Sequence, residues 1–154
     1  MELEDVLRAH QQAVFAYFLR LVGNRHDAEE LTQETFVRAC SAALRFRGDS
    51  PVKTWLFGIA RRVLLEASRA GIFERRPELD PDLPADMPDD TDERIDLARA
   101  LGALGVGDRE ALVMVDVLGF EPIETARLLG VTPEAFRVRL HRARRRFREV
   151  YGVD

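Results

Sequence analysis

The 154-residue sequence contains a long stretch in which every fully charged side chain is basic. Residues 135–148 include seven arginines and no acid. Guanidinium groups pair with phosphates and with the edge of guanine, so a helix built from this stretch would suit duplex DNA. Gly130 supplies a turn just before it, and Thr132-Pro133 can serve as N-cap and first helical residue. Residues 121–145 therefore have the pattern of a helix-turn-helix.

The faces of the last helix divide at 100° per residue. Phe136, Leu140, Ala143 and Phe147 form a narrow apolar seam that would be buried. On the other side, Glu134 could accept from cytosine, Arg137 could contact guanine and Val138 could meet a thymine methyl group. An exposed basic helix, or one that binds calmodulin or a membrane surface, is the alternative.

A second basic cluster lies nearer the N-terminus and is interleaved with aromatic rings. Lys53, Arg61 and Arg62 accompany Phe46 and Trp55. This mixture suits unpaired DNA, because cations follow the phosphates while rings stack on bases. The alternative is that Trp55 belongs to the core.

These groups require helices to position them. Apolar residues recur at helical spacing from Leu3 to Leu21, and Gly23 ends that run. We predict Asp27 as the N-cap of an acid-started helix and Ser50-Pro51 as the start of the next. The alternative for the acids of the first of these helices is a solvated face with no partner. In the rear half we predict a helix over residues 95–104 and another, capped by Asp108, over 109–118.

The middle of the chain differs from both ends. Residues 71–98 carry three basic and ten acidic groups, and four of the seven prolines recur between 77 and 88. Proline at that spacing excludes a helix, and repelling carboxylates extend a chain. We predict an all-α protein with two small helical domains, over residues 1–70 and 92–154, joined by an acidic, proline-rich linker over 71–91.

Composition excludes several classes of function. The single cysteine excludes a disulfide framework, and three scattered histidines make no metal pattern. No carboxylate pair, triad or ligand cluster indicates an enzyme, a metal or a cofactor. With no long apolar run and an acidic N-terminus, we expect a soluble, cytoplasmic protein without membrane insertion.

Three motifs together resemble the extracytoplasmic-function (ECF) group of bacterial sigma factors, in the sigma-70 family. Residues 27–36 (DAEELTQETF) are similar to its core-polymerase-binding signature. Residues 46–48 and 54–61 (FRG and TWLFGIAR) are similar to its promoter-melting stretch. Residues 123–132 and 137–144 are similar to its helix-turn-helix. They stand in the family's order and cover nearly the whole chain.

The resemblance implies a role for each group. The residues implied to bind the polymerase β′ subunit are Asp27, Glu30, Leu31, Gln33, Glu34 and Phe36. Those implied to open the minus-ten element are Arg45, Phe46, Arg47, Gly48, Asp49, Ser50, Lys53, Trp55, Arg61 and Arg62. Those implied to read the minus-thirty-five duplex are Thr132, Glu134, Ala135, Arg137, Val138, His141, Arg142 and Arg145.

The implied partners are the RNA polymerase core, through its β′ and β subunits, promoter DNA and an anti-sigma factor. Catalysis would belong to the polymerase, and no obligate homodimer is implied. The implied function is promoter recognition, DNA melting and transcription initiation for a stress or envelope regulon. Two alternatives remain: a self-contained helix-turn-helix regulator, and a sigma mimic that titrates an anti-sigma protein.

Overall fold

The structure is a computed structural model that describes residues 3–74 and 91–152. The described residues are helices joined by short turns, and the prediction of an all-α fold is confirmed. The α-helices are α1 (Leu3–Ala9), α2 (Gln11–Val22), α3 (Arg25–Ala42), α4 (Val52–Arg69), α5 (Thr91–Gly102), α6 (Val106–Leu112), α7 (Pro122–Leu129) and α8 (Pro133–Tyr151). Short 3₁₀ turns cover Ala43–Arg45 and Ile72–Glu74, and a π-helical turn, Val113–Val117, extends α6.

Glycines end the helices where the sequence predicts. Gly23 after α2 and Gly130 after α7 both adopt the left-handed conformation, with φ of 73° and 71°. Thr132 caps α8, since its side chain accepts from the Ala135 backbone N–H at 3.1 Å. The turn and the start of the last helix are thus confirmed.

Three other predicted helix starts are wrong by one to three residues. Asn24, not Asp27, caps α3, and its side chain accepts from the Asp27 backbone N–H at 3.0 Å. Asp27 therefore lies in the first turn, near the positive end of the helix. Pro51 rather than Ser50 occupies the N-cap position of α4, and α6 begins after Gly105, so that Asp108 lies in its first turn.

The residues before α2 and after α4 also differ in detail from the prediction. The first apolar run is broken at His10 into α1 and α2. After α4, the chain continues into the 3₁₀ turn, where Ile72 and Phe73 pack against the core. The predicted linker overlaps this turn, and its proline-rich part, residues 75–90, lies outside the described residues.

The two halves, residues 3–74 and 91–152, share one hydrophobic core. Tyr17 and Phe18 of α2 are fully buried, with Phe57 of α4 set edge-on to Tyr17 at 5.4 Å between ring centroids. Phe57 in turn meets Phe120 of the C-terminal half at 5.0 Å, again edge-on. The aromatic contacts therefore continue from one half into the other.

Candidate nucleic-acid interface

The apolar seam of α8 is buried as the sequence predicts. Phe136, Leu140 and Ala143 are buried, and Phe147 is half-buried. Thr125 and Ala126 of α7 are buried beneath the turn, which holds the two helices together. The seam fixes the rotation of α8, so the arginines on its other sides point away from the core.

All eight residues implied for the minus-thirty-five duplex are exposed. They are Thr132, Glu134, Ala135, Arg137, Val138, His141, Arg142 and Arg145. Val138 among them is 64% exposed, so its methyl groups are open to contact from outside the protein. This side of α8 can lie against a groove without any change in the core.

Two arginines of this helix are held by carboxylates in the free protein. The Arg142 Nη2 atom lies 2.9 Å from Asp108 Oδ1, and the Arg144 Nη2 atom lies 2.7 Å from Asp116 Oδ1. Hydrogen bonding to these carboxylates raises the pKa of both arginines. The pairs tie α8 to α6 and to the π-helical turn.

The loop before α4 presents the front cluster. Arg45, Arg47 and Asp49 are exposed, and Gly48 turns the chain with a φ of 76°. Ser50 is half-buried at the end of this loop. The Phe46 and Trp55 rings lie 4.9 Å apart at 46°, and both are half-buried. The rings are thus partly accessible, next to cations, as stacking on an unpaired base requires.

Helix α4 divides the remaining minus-ten residues between opposite faces. Trp55 and Arg62 are seven positions apart and share a face on which Arg62 is exposed. Lys53 and Arg61 lie on the face that the C-terminal half covers. The Lys53 ammonium donates to the Leu118 carbonyl at 3.0 Å, and the Arg61 Nε atom lies 3.3 Å from Glu110 Oε2. The structure therefore does not bring the ten minus-ten residues together on one surface.

The residues implied for polymerase binding lie along α3, also in two groups. Glu30, Gln33 and Glu34 are exposed, whereas Leu31 and Phe36 are half-buried and Asp27 is buried. The Glu34 carboxylate accepts from Arg38 Nε at 2.8 Å, and Arg38 also pairs with Glu66 of α4. The exposed acids are available to a partner, and Asp27 serves the start of the helix.

The motif did not include two exposed apolar side chains beside these acids. Val37 is 61% exposed and follows Glu30 and Glu34 at helical spacing; Leu44, in the following 3₁₀ turn, is 99% exposed. Spacing alone could have found Val37, because residues i, i+4 and i+7 share a face. Acids flanking an exposed apolar group are typical of a protein-binding surface.

Among residues 3–74 and 91–152, no group of His, Cys, Asp and Glu side chains is arranged to hold a metal ion. Nor does the described part of the chain contain a helix long and apolar enough to cross a membrane.

Comparisons with known proteins identify the class of protein that this arrangement represents. The family described as Sigma-70 region 2 matches residues 6–71, and Sigma-70, region 4 matches residues 94–147. SigE of Mycolicibacterium smegmatis is 31% identical over 95% of this chain and 60% of its own length. SigC of Mycobacterium tuberculosis is 35% identical over 92% of this chain and 79% of its own length.

The fold agrees with solved sigma factors. The structure of RpoE with the anti-sigma factor NepR, from Bartonella quintana, gives a TM-score of 0.86 at 26% identity and covers 98% of this chain and 97% of that one. CnrH, solved with the cytosolic domain of CnrY, gives a TM-score of 0.68 at 25% identity and covers 96% of this chain and 85% of that one. The protein is thus a transcription factor that contains two of the sigma-70 regions, region 2 and region 4. The chain belongs to the ECF group of RNA polymerase sigma factors.

Proposed function

We propose that the chain binds core RNA polymerase through the exposed side of α3 and directs it to promoters through the loop before α4 and through α8. The observation that carries the residue-level assignment is the exposure of all eight candidate duplex-reading residues around a buried seam. The reaction is catalysed by the polymerase, and this chain supplies recognition.

The two contacts with DNA act together because one polymerase holds both halves. A single helix-turn-helix without a dimer partner binds duplex DNA weakly. Once the first contact forms on the polymerase, the second becomes intramolecular and occurs at a high effective concentration. We therefore expect poor promoter binding by the isolated chain and tight binding with core enzyme.

An anti-sigma factor is the partner we propose for regulation, and the cytoplasm is the place of action. RpoE and CnrH were each solved with a protein partner, an anti-sigma factor in the case of RpoE, and both resemble this chain along nearly its whole length. A stress or envelope regulon fits an ECF factor that such a partner holds inactive. The acidic segment between the halves would run toward the polymerase active-site region.

Run-off transcription with purified core and a promoter library tests the function. Core-dependent transcripts that start at a common motif would support it. Repression of a running holoenzyme would instead indicate the self-contained regulator. Binding to an anti-sigma protein with no effect on transcription would indicate the sigma mimic.

A further inference from the structure

Two of the ten residues implied for the minus-ten element, Lys53 and Arg61, have side chains that contact the C-terminal half of the same chain. Lys53 donates to the Leu118 carbonyl and lies over the Phe120 ring, 4.6 Å from its centroid. Arg61 pairs with Glu110, and the Arg61 side chain is only 21% exposed. Lys53 uses one of its three donors inside the chain and Arg61 is mostly covered, so the closed arrangement leaves both cations poorly accessible to a phosphate.

Glu110 is the charged centre of this contact. Its Oε2 atom accepts from the Tyr17 hydroxyl at 2.6 Å and faces Arg61 at 3.3 Å, with 5% of the side chain exposed. Burial, and next the neighbouring carboxylate, raise the pKa of Tyr17 well above its usual value. The tyrosine therefore remains a hydrogen-bond donor to Glu110 at neutral pH. The two partners offset the cost of burying this carboxylate, and losing it leaves Arg61 uncompensated.

A neighbouring contact seals the same face of α4. The Thr54 hydroxyl lies 2.6 Å from Glu124 Oε1 of α7. Phe57 packs on Phe120 one turn further along α4. The covered face thus presents Lys53, Thr54, Phe57 and Arg61 in sequence to the C-terminal half.

We propose that Glu110 occupies the place of the minus-ten DNA backbone at Arg61, so that the closed arrangement of the two halves is an autoinhibited state. The inference rests on the proposed function, which makes Lys53 and Arg61 DNA contacts. DNA and the C-terminal half then compete for the same two cations. Opening exposes both cations. The apparent DNA affinity is therefore the affinity of the open form multiplied by the fraction of molecules that is open.

The first test compares Glu110→Gln with Glu149→Gln in the full chain. Both variants remove one negative charge, but Glu149 is exposed near the end of α8. A fluorescein-labelled, AT-rich single strand of 12 nucleotides is titrated at several salt concentrations. Glu110→Gln is expected to bind the strand about tenfold more tightly than the wild type at low salt. That is the gain if about a tenth of wild-type molecules, and nearly all molecules of the variant, are open. The salt slope should stay almost unchanged, because the bound chain makes the same phosphate contacts in both proteins. An equal response in the two variants would overturn the inference.

The second test measures opening directly and does not depend on Glu110→Gln alone. Spin labels at the native Cys40, which is exposed, and at Glu149→Cys report the distance between the halves. A narrow distribution is expected for the wild-type background and a broader, longer one with Glu110→Gln. Separately, Thr54→Cys with Glu124→Cys, in a Cys40→Ser background, is closed with a short bis-maleimide. The locked chain should lose binding to the strand, and undiminished binding would refute autoinhibition.

Failure of this inference and failure of the proposed function give different results. Pull-down with core polymerase depends on α3, which the closed contact leaves exposed. A chain that binds core and starts transcripts, yet responds equally to Glu110→Gln and Glu149→Gln, keeps its function and loses its autoinhibition. A chain that binds no core in any variant loses the function itself.

Discussion

The Arg142 guanidinium contacts the Asp108 carboxylate through two nitrogen atoms, with Nη2 2.9 Å from Oδ1 and Nε 3.3 Å from Oδ2. Asp108 lies in the first turn of α6, 34 positions away from Arg142 along the chain. The carboxylate is the less exposed partner, at 19% of its side chain. A residue implied to contact DNA is thus paired with an internal acid until DNA arrives.

Asp108→Asn should raise the affinity for a minus-thirty-five duplex a few-fold, because Arg142 no longer has to leave an ion pair. An exposed pair is worth up to about 1 kcal/mol, or about fivefold in affinity. Fluorescence anisotropy of the variant and of Asp5→Asn, which removes the same charge at an exposed position on α1, would measure it. A loss of affinity would mean that Asp108 orients Arg142 for DNA.

Arg137→Ala and Arg146→Ala should weaken DNA binding in different ways, the first at particular base pairs and the second at every sequence. Arg137 lies in the second turn of α8, where side chains reach base edges, so its loss should cost about 1–3 kcal/mol at particular base pairs. Arg146 lies near the end of the helix, and its loss should weaken binding uniformly and lower the salt slope by about one. Footprints on promoter variants at several salt concentrations separate the two effects. Identical profiles would contradict the docking of α8 in the groove.

Val37→Glu should weaken binding to core polymerase by about tenfold or more, with little change in Tm. The valine lies beside the exposed acids of α3, where another negative charge and the loss of an apolar contact both disfavour docking. Ala9→Glu is the control, since it adds the same charge at an exposed position on α1. Equal core affinities for the two variants would place the polymerase elsewhere.

Phe136→Ala should destabilise the C-terminal half by about 3–5 kcal/mol, because it opens a cavity under a fully buried ring. Val138→Ala, two residues along, should leave the Tm almost unchanged, since that side chain is exposed. Thermal unfolding followed by circular dichroism measures both. Similar Tm values for the two variants would show that the seam is not the buried side of α8.

Lowering the pH should destabilise the chain partly through His10. Burial, and next the charge of Lys53, lower the pKa of this imidazole below its usual value of 6.5. The unfolded chain then takes up the proton first, so His10 penalises folding as the pH falls below about 6.5 and has no effect above it. Between pH 7.5 and 5.5, the Tm of His10→Gln should therefore fall slightly less than the Tm of the wild type. If the Tm of both proteins falls by the same amount, protonation of His10 does not contribute to the loss of stability at low pH.

Periodic elements were predictable from sequence, and their ends were less so. The α8 seam follows from four apolar residues, Phe136, Leu140, Ala143 and Phe147, within a narrow arc, whereas Val138 lies outside that arc and is exposed. The start of α3 was harder, because Asn24 and Asp27 are both good N-caps and lie three residues apart. In the structure Asn24 is the N-cap, because its side-chain oxygen accepts a hydrogen bond from the Asp27 backbone N–H at 3.0 Å.

The division of α4 was beyond the reach of local patterns. Lys53 and Arg61 look like Arg62 in sequence, since all three are basic residues beside an apolar stripe. Their different surroundings come from contacts with residues far along the chain; Tyr17 and Glu110, for example, are 93 positions apart. The spacing of residues within α4 does not predict which of its two polar faces the C-terminal half covers.

The π-helical turn Val113–Val117 makes this part of the chain tolerant of a change in length. The Leu118 N–H reaches back five residues to the Val113 carbonyl at 2.9 Å, so the turn holds one residue more than an α-helix would need. Five residues wound in this way cover nearly the same rotation as four residues of regular helix. Deleting a single amino acid here would therefore restore regular helix and leave the Leu118 carbonyl and the Phe120 ring where they meet Lys53.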